Sequence, residues 1–195
     1  MGAGQTPSQT IGPFFGPALI RSGLEGPGLE ALVRPTTRGE RVTIEGRVLD
    51  GDGAAVADAM IEIWQANAEG RYDHPEDRQE KLLDANFHGF GRAATDDAGW
   101  YRFHTIKPGP VAGPGVTLQA PHINVAIFAR GLLKRLVMRI YFPDEPLNTN
   151  DPVLMAVPPE RRATLIACTG APLSAETLRF DIVVQGDSET VFFEI

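Results

Sequence analysis

The stretch that decides the fold is Pro121-His122-Ile123-Asn124-Val125-Ala126-Ile127-Phe128-Ala129-Arg130. Apolar residues occupy every second position from Ile123 to Ala129, and this alternation predicts a β-strand with one face against a core. The opposite face carries His122, Asn124 and Arg130 along one line. Polar side chains on so apolar a strand are either partnered inside the protein or line a cleft.

Shorter runs with the same alternation precede and follow this strand. They cover residues 42–48, 59–65, 99–106, 135–142, 178–185 and 190–195. The turn Gly51-Asp52-Gly53 predicts that the first two runs form an opening hairpin. Residues 158–168, which begin with Pro158 and Pro159, predict a helix. The predicted fold class is all-β: an antiparallel β-sandwich with long loops, an extended N-terminal arm and one short helix.

The segment before the first run predicts an arm rather than regular structure. Residues 1–40 contain many prolines and glycines, which interrupt helices and strands. Residues 41–195 predict the β-sandwich, so we expect residues 1–195 to form a single domain. Irregular segments of this length are usually functional or lie against a partner.

Charge and cysteine content limit the class of protein. The formal net charge is −7 with a pI near 5.1, so no basic surface for nucleic acid or an anionic membrane is expected. Cys168 is the single cysteine, which excludes an intrachain disulfide. Its place in the predicted helix indicates a core residue rather than a nucleophile. No run has the length and apolarity of a membrane span, and we expect a soluble, cytoplasmic protein.

Familiar catalytic motifs are absent from the sequence. It contains no nucleophile elbow, phosphate-binding loop, dinucleotide fingerprint or Cys-x-x-Cys pair. The histidines lie too far apart in sequence to form a local metal motif. A self-contained metal site would have to gather His74, His88 or His104 with carboxylates such as Asp73, Asp77 or Glu80. That alternative stays open.

Several runs, in order along the chain, resemble the intradiol ring-cleavage dioxygenases. They are Ile44-Glu45-Gly46-Arg47-Val48, Ile61-Glu62-Ile63-Trp64-Gln65-Ala66-Asn67, Gly70-Arg71-Tyr72, Asn86-Phe87, Gly91-Arg92, residues 95–99 and Thr105-Ile106-Lys107-Pro108-Gly109-Pro110. The arm Thr10-Ile11-Gly12-Pro13-Phe14-Phe15 and the tail Thr190-Val191-Phe192-Phe193 are similar to a subunit of this family that carries no iron. The likeness extends from Thr6 to Ile195, nearly the whole chain.

The resemblance implies chemistry on a non-haem ferric ion that two tyrosines and two histidines bind. The aligned positions in this chain hold Gln79, Val111, His122 and Asn124, and an arginine expected before the histidine pair falls near Gln119. Ferric iron prefers anionic oxygen ligands, which amides and valine do not supply. We therefore expect this chain to bind no iron and to hold no catalytic residue by itself.

The same resemblance implies a partner and a substrate. It predicts non-haem Fe(III) in a partner beta subunit, which joins this chain in an αβ protomer of a higher hetero-oligomer. The expected reaction is intradiol cleavage of protocatechuate by O2 to 3-carboxy-cis,cis-muconate. The family's substrate contacts fall on Thr10, Gly12, Pro13 and Arg130.

The guanidinium of Arg130 has a shape and charge that suit the carboxylate of protocatechuate. A structural ion pair with Glu62 or Asp181 is the alternative role for this arginine. A second function also stays open. A metal-free β-sandwich binding module for an aromatic acid or a partner protein would explain Gln79, Val111 and Asn124 equally well.

Overall fold

The computed structural model describes residues 19–20, 28–143, 145–169 and 176–194. Strands dominate these residues: β1 (Arg41–Leu49), β2 (Met60–Trp64), β3 (Phe90–Ala94), β4 (Trp100–Ile106), β5 (Val111–Ala112), β6 (Leu118–Gln119), β7 (His122–Phe128), β8 (Leu136–Tyr141), β9 (Cys168–Thr169), β10 (Thr177–Arg179) and β11 (Ile182–Val183). Helical segments are short: the 3-10 helices Pro146–Thr149 and Pro159–Leu165 and the α-helix α1 (Pro152–Ala156). The all-β prediction is confirmed.

Two sheets contain most of these strands. In the first, β1 lies between β4, which is antiparallel to it, and both β10 and β11, which are parallel to it; β9 extends the sheet beyond β10. The second has the order β3-β2-β7-β8 and is antiparallel throughout. A separate ribbon pairs β5 with β6. The sandwich is therefore mixed, because β1 has parallel partners.

The core lies between the two sheets and confirms the predicted inner face of β7. Ile123, Val125 and Ile127 are each at most 2% exposed. They belong to one apolar cluster with Ile44 and Phe103 of the first sheet. Each such side chain contributes about 1.5–3 kcal/mol on burial, so this face holds β7 in place.

The predicted opening hairpin is wrong. β1 pairs with β4, whereas β2 pairs with β3 and β7 in the other sheet. The chain does turn back after β1, because the Asp50 carboxylate accepts hydrogen bonds from the amides of Asp52 and Ala54. This return is limited to an isolated bridge between Leu49 and Ala55. Beyond this bridge, β2 belongs to the second sheet. Its apolar side chains pack against those of β1 across the core, so the two strands are not neighbours in one sheet.

Gly46 of β1 lies where its partner changes from β10 to β11. A Cβ atom at this position would lie 1.7 Å from the carbonyl oxygen of Phe180. The same oxygen accepts a 2.6 Å hydrogen bond from the Tyr101 hydroxyl, so it is held from both sides. Glycine is needed here because two backbones meet with no space between them.

The helix predicted for residues 158–168 is present but shorter, as the 3-10 helix Pro159–Leu165. It ends at Leu165, and Ile166 then forms a bridge with Tyr141. The amide of Ala167 donates to the Tyr141 carbonyl at 2.9 Å, which pulls the chain into an extended path. Cys168 follows in β9 and is exposed, so the prediction of a core cysteine is wrong. The α-helix of the described residues, α1, lies just before this segment.

The described residues before β1 lie against the edges of both sheets. Arg92 of β3 donates its amide to the Leu29 carbonyl, and His104 of β4 exchanges hydrogen bonds with Glu30 and Leu32. The Arg92 guanidinium also donates to the Leu19 carbonyl at 3.1 Å. The division into an arm of residues 1–40 and a sandwich of residues 41–195, as one domain, stays a prediction. Within the described ranges, no helix is long and apolar enough to cross a bilayer.

Candidate functional site

The candidate site lies on the outer face of the second sheet, where β7 presents His122 and Asn124 away from the core. Strand register brings three further side chains to these two. Tyr141 of β8 is opposite His122, Arg139 of β8 is opposite Asn124, and Trp64 of β2 is opposite Asn124 on the other side. The polar line predicted from the sequence is therefore real, and neighbouring strands extend it.

His122 is buried and held as the neutral imidazole. Its Nδ1 lies 2.7 Å from the Ala120 carbonyl, which can only accept, so Nδ1 carries the proton. Its Nε2 is then an acceptor, and it faces the Tyr72 hydroxyl in a long contact of 3.5 Å. Burial and the nearby charge of Arg139 lower the pKa of His122 to about 4. Both ring nitrogens are thus engaged at neutral pH.

Tyr72 lies in the loop that follows β2 and contacts both His122 and Asn124. Its ring stacks on Trp64, with centroids 5.7 Å apart. Its hydroxyl accepts a 3.1 Å hydrogen bond from the Asn124 amide nitrogen. Burial raises the pKa of Tyr72, so the side chain stays a neutral phenol. A tyrosine in this state is a hydrogen-bonding group and not an anionic ligand.

Asn124 and Arg139 continue the contacts across the sheet. The Asn124 amide nitrogen also donates to the Trp64 carbonyl at 3.2 Å, and its oxygen accepts from Arg139 Nε at 3.2 Å. Arg139 Nη1 donates to Gln119 Oε1 at 2.7 Å and lies 3.5 Å from the Tyr141 hydroxyl. One guanidinium thus links β6, β7 and β8.

Asp151 anchors the far end of these contacts and is fully buried. Its Oδ1 accepts from the Tyr141 hydroxyl at 3.0 Å and from the first amides of α1, and its Oδ2 accepts from the Ala120 amide at 2.7 Å. Burial raises the pKa of Tyr141, so its hydroxyl remains a donor to this carboxylate. We call the connected set Tyr72, His122, Asn124, Arg139, Tyr141 and Asp151 the outer-face network.

The other two aligned ligand positions, Gln79 and Val111, border this network. Gln79 donates to the Gly70 carbonyl at 3.2 Å and to Asp77, whose carboxylate also accepts from the Tyr72 amide. Val111 is 4% exposed and pairs with Gln119 in the β5–β6 ribbon. The structure therefore connects all four positions that the sequence analysis singled out.

These residues do not fit a ferric ion. Val111 has no donor atom, the Asn124 oxygen is bonded to Arg139, and the Nε2 lone pair of His122 faces the Tyr72 hydroxyl. No group of three His, Cys, Asp or Glu residues suited to a metal occurs in the part of the chain that the structure describes. A guanidinium beside the site would also repel a trication.

Arg130 lies just beyond the end of β7 and is open to solvent. Its Nη2 is 3.1 Å from Asp58 Oδ2, and the two side chains are 64% and 66% exposed. The alternative partners considered from the sequence, Glu62 and Asp181, pair with other arginines. An exposed pair of this kind contributes about 0–1 kcal/mol, so the guanidinium can exchange its partner.

The family model Dioxygenase_C, whose description is Dioxygenase, matches residues 14–186. The chain belongs to the intradiol dioxygenase family. It is 43% identical over 200 residues to the protocatechuate 3,4-dioxygenase alpha chain of Burkholderia cepacia, covering 98% of each chain. It is 40% identical over 158 residues to the beta chain from the same organism, covering 78% of this chain and 67% of that one.

A solved structure agrees with the family membership. The dioxygenase domain of a carbohydrate-binding fusion protein from Streptomyces sp. SirexAA-E superposes with a TM-score of 0.62 at 27% identity, covering 93% of this chain and 98% of that one. The resemblance inferred from the ordered runs is confirmed. So is the expectation that the relatives are intradiol ring-cleavage dioxygenases.

The remaining histidines of this intradiol dioxygenase homologue do not form a self-contained metal site. His88 Nδ1 lies 2.6 Å from Asp73 Oδ2 on the surface. His104 contacts Thr43, and His74 accepts from the backbone amide two residues later. The open alternative of a metal site that gathers these histidines is therefore wrong for the described residues.

The predicted arm contacts Thr10, Gly12 and Pro13 lie outside the described residues, and their role stays a prediction. A nearby feature can be described. An apolar groove of about 140 Å³ crosses the outer face of the second sheet beside Asn124. Its lining includes Trp64, Ala126, Val137 and the exposed ring of Phe90.

Sequence reasoning did not assign a role to Tyr141 or to three further members of the network. Tyr72 stands in the family-like run Gly70-Arg71-Tyr72, and Arg139 lies on the polar face of the run 135–142. Asp151 precedes a proline, which is a common sign of a helix start. Each signal is local, and none of them states that the three side chains meet.

Proposed function

We propose that this chain is the alpha subunit of a protocatechuate 3,4-dioxygenase. In this proposal it lacks iron ligands itself and completes the active-site cleft of a beta subunit that holds non-haem Fe(III). The net reaction adds both atoms of O2 to protocatechuate. The ring bond between the two hydroxylated carbons breaks, and 3-carboxy-cis,cis-muconate forms.

The observation that carries this proposal is the outer-face network. It places neutral side chains at Asn124 and His122, both in contact with the Tyr72 hydroxyl, in a chain that otherwise matches a family of iron enzymes along most of its length. A catalytic chain of this family would need two free imidazoles at these positions. The network therefore supports a subunit that depends on a partner for the metal.

Arg130 is the residue through which we propose that this chain contacts substrate. Its guanidinium is exposed, and its partner among the described residues is the exposed Asp58. In a cleft closed by the partner, it would exchange this carboxylate for that of protocatechuate. A desolvated, charge-assisted hydrogen bond is worth about 1.5–3 kcal/mol, or roughly tenfold to a hundredfold in binding or rate. Thr10, Gly12 and Pro13 of the arm belong to the same proposed contact.

The surface that would receive the beta subunit is the outer face of the second sheet. Phe90 is 39% exposed, and the groove beside Asn124 is lined mainly by apolar side chains. Apolar surface of this kind marks contact sites in many proteins. The αβ protomer, its higher assembly and a cytoplasmic location are parts of the proposal.

The first experiment compares the chain purified alone with the chain co-expressed with its candidate beta partner. We expect iron, the visible tyrosinate-to-iron absorption and protocatechuate-dependent O2 uptake only in the co-purified complex. Stoichiometric iron and turnover in the chain alone would contradict the proposal. If neither sample turned over, the alternative of a metal-free binding module would replace it, and binding of protocatechuate to the chain would be measured next.

The second experiment tests Arg130 in the complex. We expect Arg130→Ala to lower kcat/KM for protocatechuate roughly tenfold to a hundredfold while iron content stays unchanged. Lys134→Ala removes a charge from the same exposed loop and serves as the control. Equal effects of the two substitutions, or loss of iron in the first, would contradict the role of Arg130.

A further inference from the structure

We propose that side-chain hydrogen bonds of Arg139, Tyr72 and Lys81 replace a metal ion as the cross-link of this site, and that Arg139 keeps metal out of it. The missing ligands alone would leave three chain segments unconnected: the loop with Gln79, the ribbon with Val111, and β7 with His122 and Asn124. The structure supplies a direct connection for each junction. This inference does not depend on the proposed function.

Tyr72 connects the loop that follows β2 to β7. Its hydroxyl accepts from Asn124 at 3.1 Å and faces His122 Nε2 at 3.5 Å. Its amide donates to Asp77 at 2.7 Å, and Asp77 in turn accepts from Gln79. Gln79 is thus tied through Asp77 and the Tyr72 amide to the residue whose hydroxyl contacts Asn124 and His122.

Lys81 connects the same loop to the ribbon that carries Val111. Its Nζ donates to the Pro110 carbonyl at 2.6 Å and lies 3.4 Å from the Gly70 carbonyl. Pro110 immediately precedes β5, so the bond holds the start of the ribbon against the loop. The partners are backbone oxygens, which a lysine ammonium satisfies as a compact cation.

Arg139 closes the remaining side. Its two bonds reach Gln119 on β6, next to Val111, and Asn124 on β7. The planar fork of a guanidinium suits this task because its donors point in fixed directions. One cation on β8 therefore holds two ligand-bearing segments at once.

The charge of Arg139 also explains exclusion of metal. The acceptors that it contacts within the described residues, Asn124, Gln119 and Tyr141, are all neutral. The nearest carboxylate of the network, Asp151, is reached only through the Tyr141 hydroxyl. A positive charge without a directly bonded acid repels a second cation most strongly where water is excluded.

The cross-link is tested with the substitution Arg139→Gln. The variant is the full chain, studied in the same assembly in which the wild-type protein is purified. Arg135→Gln is the matched control, because Arg135 is exposed and precedes the same strand. We expect amide hydrogen exchange in residues 70–81 and 119–124 to become about tenfold faster or more in the first variant only. Equal exchange in the two variants would overturn the proposed cross-link.

Metal exclusion is tested by restoring the ligands. Gln79→Tyr, Val111→Tyr and Asn124→His are combined, once with Arg139 kept and once with Arg139→Gln. After incubation with Fe(III), we expect one added equivalent of iron per chain and the tyrosinate-to-iron absorption only in the variant without Arg139. Iron uptake with Arg139 in place would overturn the proposal. Absence of uptake in both would do so too, because Arg139 would not be the barrier.

Discussion

Two parts of the outer face of the second sheet differ in how their polar groups are satisfied. In the outer-face network, each side chain is hydrogen-bonded to another member or to the backbone, down to the fully buried Asp151. At Arg130, two residues beyond β7, one exposed aspartate is the partner. The same strand thus leads from a closed set of hydrogen bonds to a guanidinium that remains available.

The difference separates polar groups that are satisfied within the chain from a guanidinium that is open to a new partner. Buried hydrogen bonds are costly to break because the groups left behind cannot reach water. An exposed ion pair is cheap to exchange. We therefore expect substitutions in the network to change stability, and substitutions around Arg130 to change activity.

The largest effect on stability is expected for Asp151→Ala. The substitution leaves four donors without their acceptor: the amides of Ala120, Val153 and Leu154 and the Tyr141 hydroxyl. We expect the free energy of unfolding to fall by about 3–5 kcal/mol, measured by urea denaturation. Asp187→Ala, at an exposed position, is the control and should change it by less than about 0.5 kcal/mol. Similar values would mean that the network does not stabilise the fold.

The next effect concerns pH and sharpens the same comparison. The pKa of His122 falls from its ordinary 6.5 to about 4 in the folded state, chiefly because of burial. Between these values the unfolded chain binds a proton that the folded chain does not, so stability falls as pH drops from 6.5 toward 4. The expected loss is about 3 kcal/mol.

Urea unfolding at several pH values measures this loss. The His122→Gln variant is the reference, because the slope due to His122 must disappear with the imidazole. If the wild type and the variant had the same pH dependence over this window, His122 would not be held neutral, and the hydrogen-bonding order inferred for Tyr72 would fail with it.

Tyr72→Phe is expected to have a smaller effect. It removes one hydroxyl, which serves Asn124 and His122, but keeps the ring stacked on Trp64. We expect a loss of about 1 kcal/mol in the free energy of unfolding. A double-mutant cycle with Asn124→Ala isolates the contact. Simple additivity of the two substitutions would show that the two side chains are not coupled.

The smallest effect is expected on the open side of the comparison, for Asp58→Asn. Asp58 has a φ of 60°, which asparagine also tolerates, so the substitution removes the charge without new backbone strain. Stability should stay within about 0.5 kcal/mol. If Arg130 binds substrate as proposed, its release should lower KM for protocatechuate by at most about fivefold. An increase in KM would indicate that Asp58 positions Arg130 instead of competing for it.

Much of the fold could be predicted because it depends on local patterns. The alternation in β7, with Ile123, Val125 and Ile127 buried, agrees with the structure. The hairpin failed because a turn specifies a reversal and not which sheet receives the next strand. The helix predicted for residues 158–168 ends early, at Leu165, because Ile166 and Ala167 pair with Tyr141 instead of continuing it.

The candidate site divides in the same way. That Gln79, Val111 and Asn124 are unsuited to ferric iron follows from their chemistry, and no structure is needed to see it. What replaces the metal could not be predicted, because no local pattern records that Arg139, Tyr72 and Lys81 lie at the junctions between the three segments. The roles of Thr10, Gly12, Pro13 and Arg130 stay predictions.

By itself, the sequence determined the period of the strands, the family that the ordered runs identify, and the loss of anionic ligands. These properties belong to single residues or short runs, so they can be recognised without a structure. The tertiary structure alone decided that Tyr72, Asn124, Arg139 and Asp151 form one network and that Arg130 remains outside it. The physical reason is register: strand pairing brings side chains distant in sequence within bonding distance, and no local pattern records which positions will lie opposite each other.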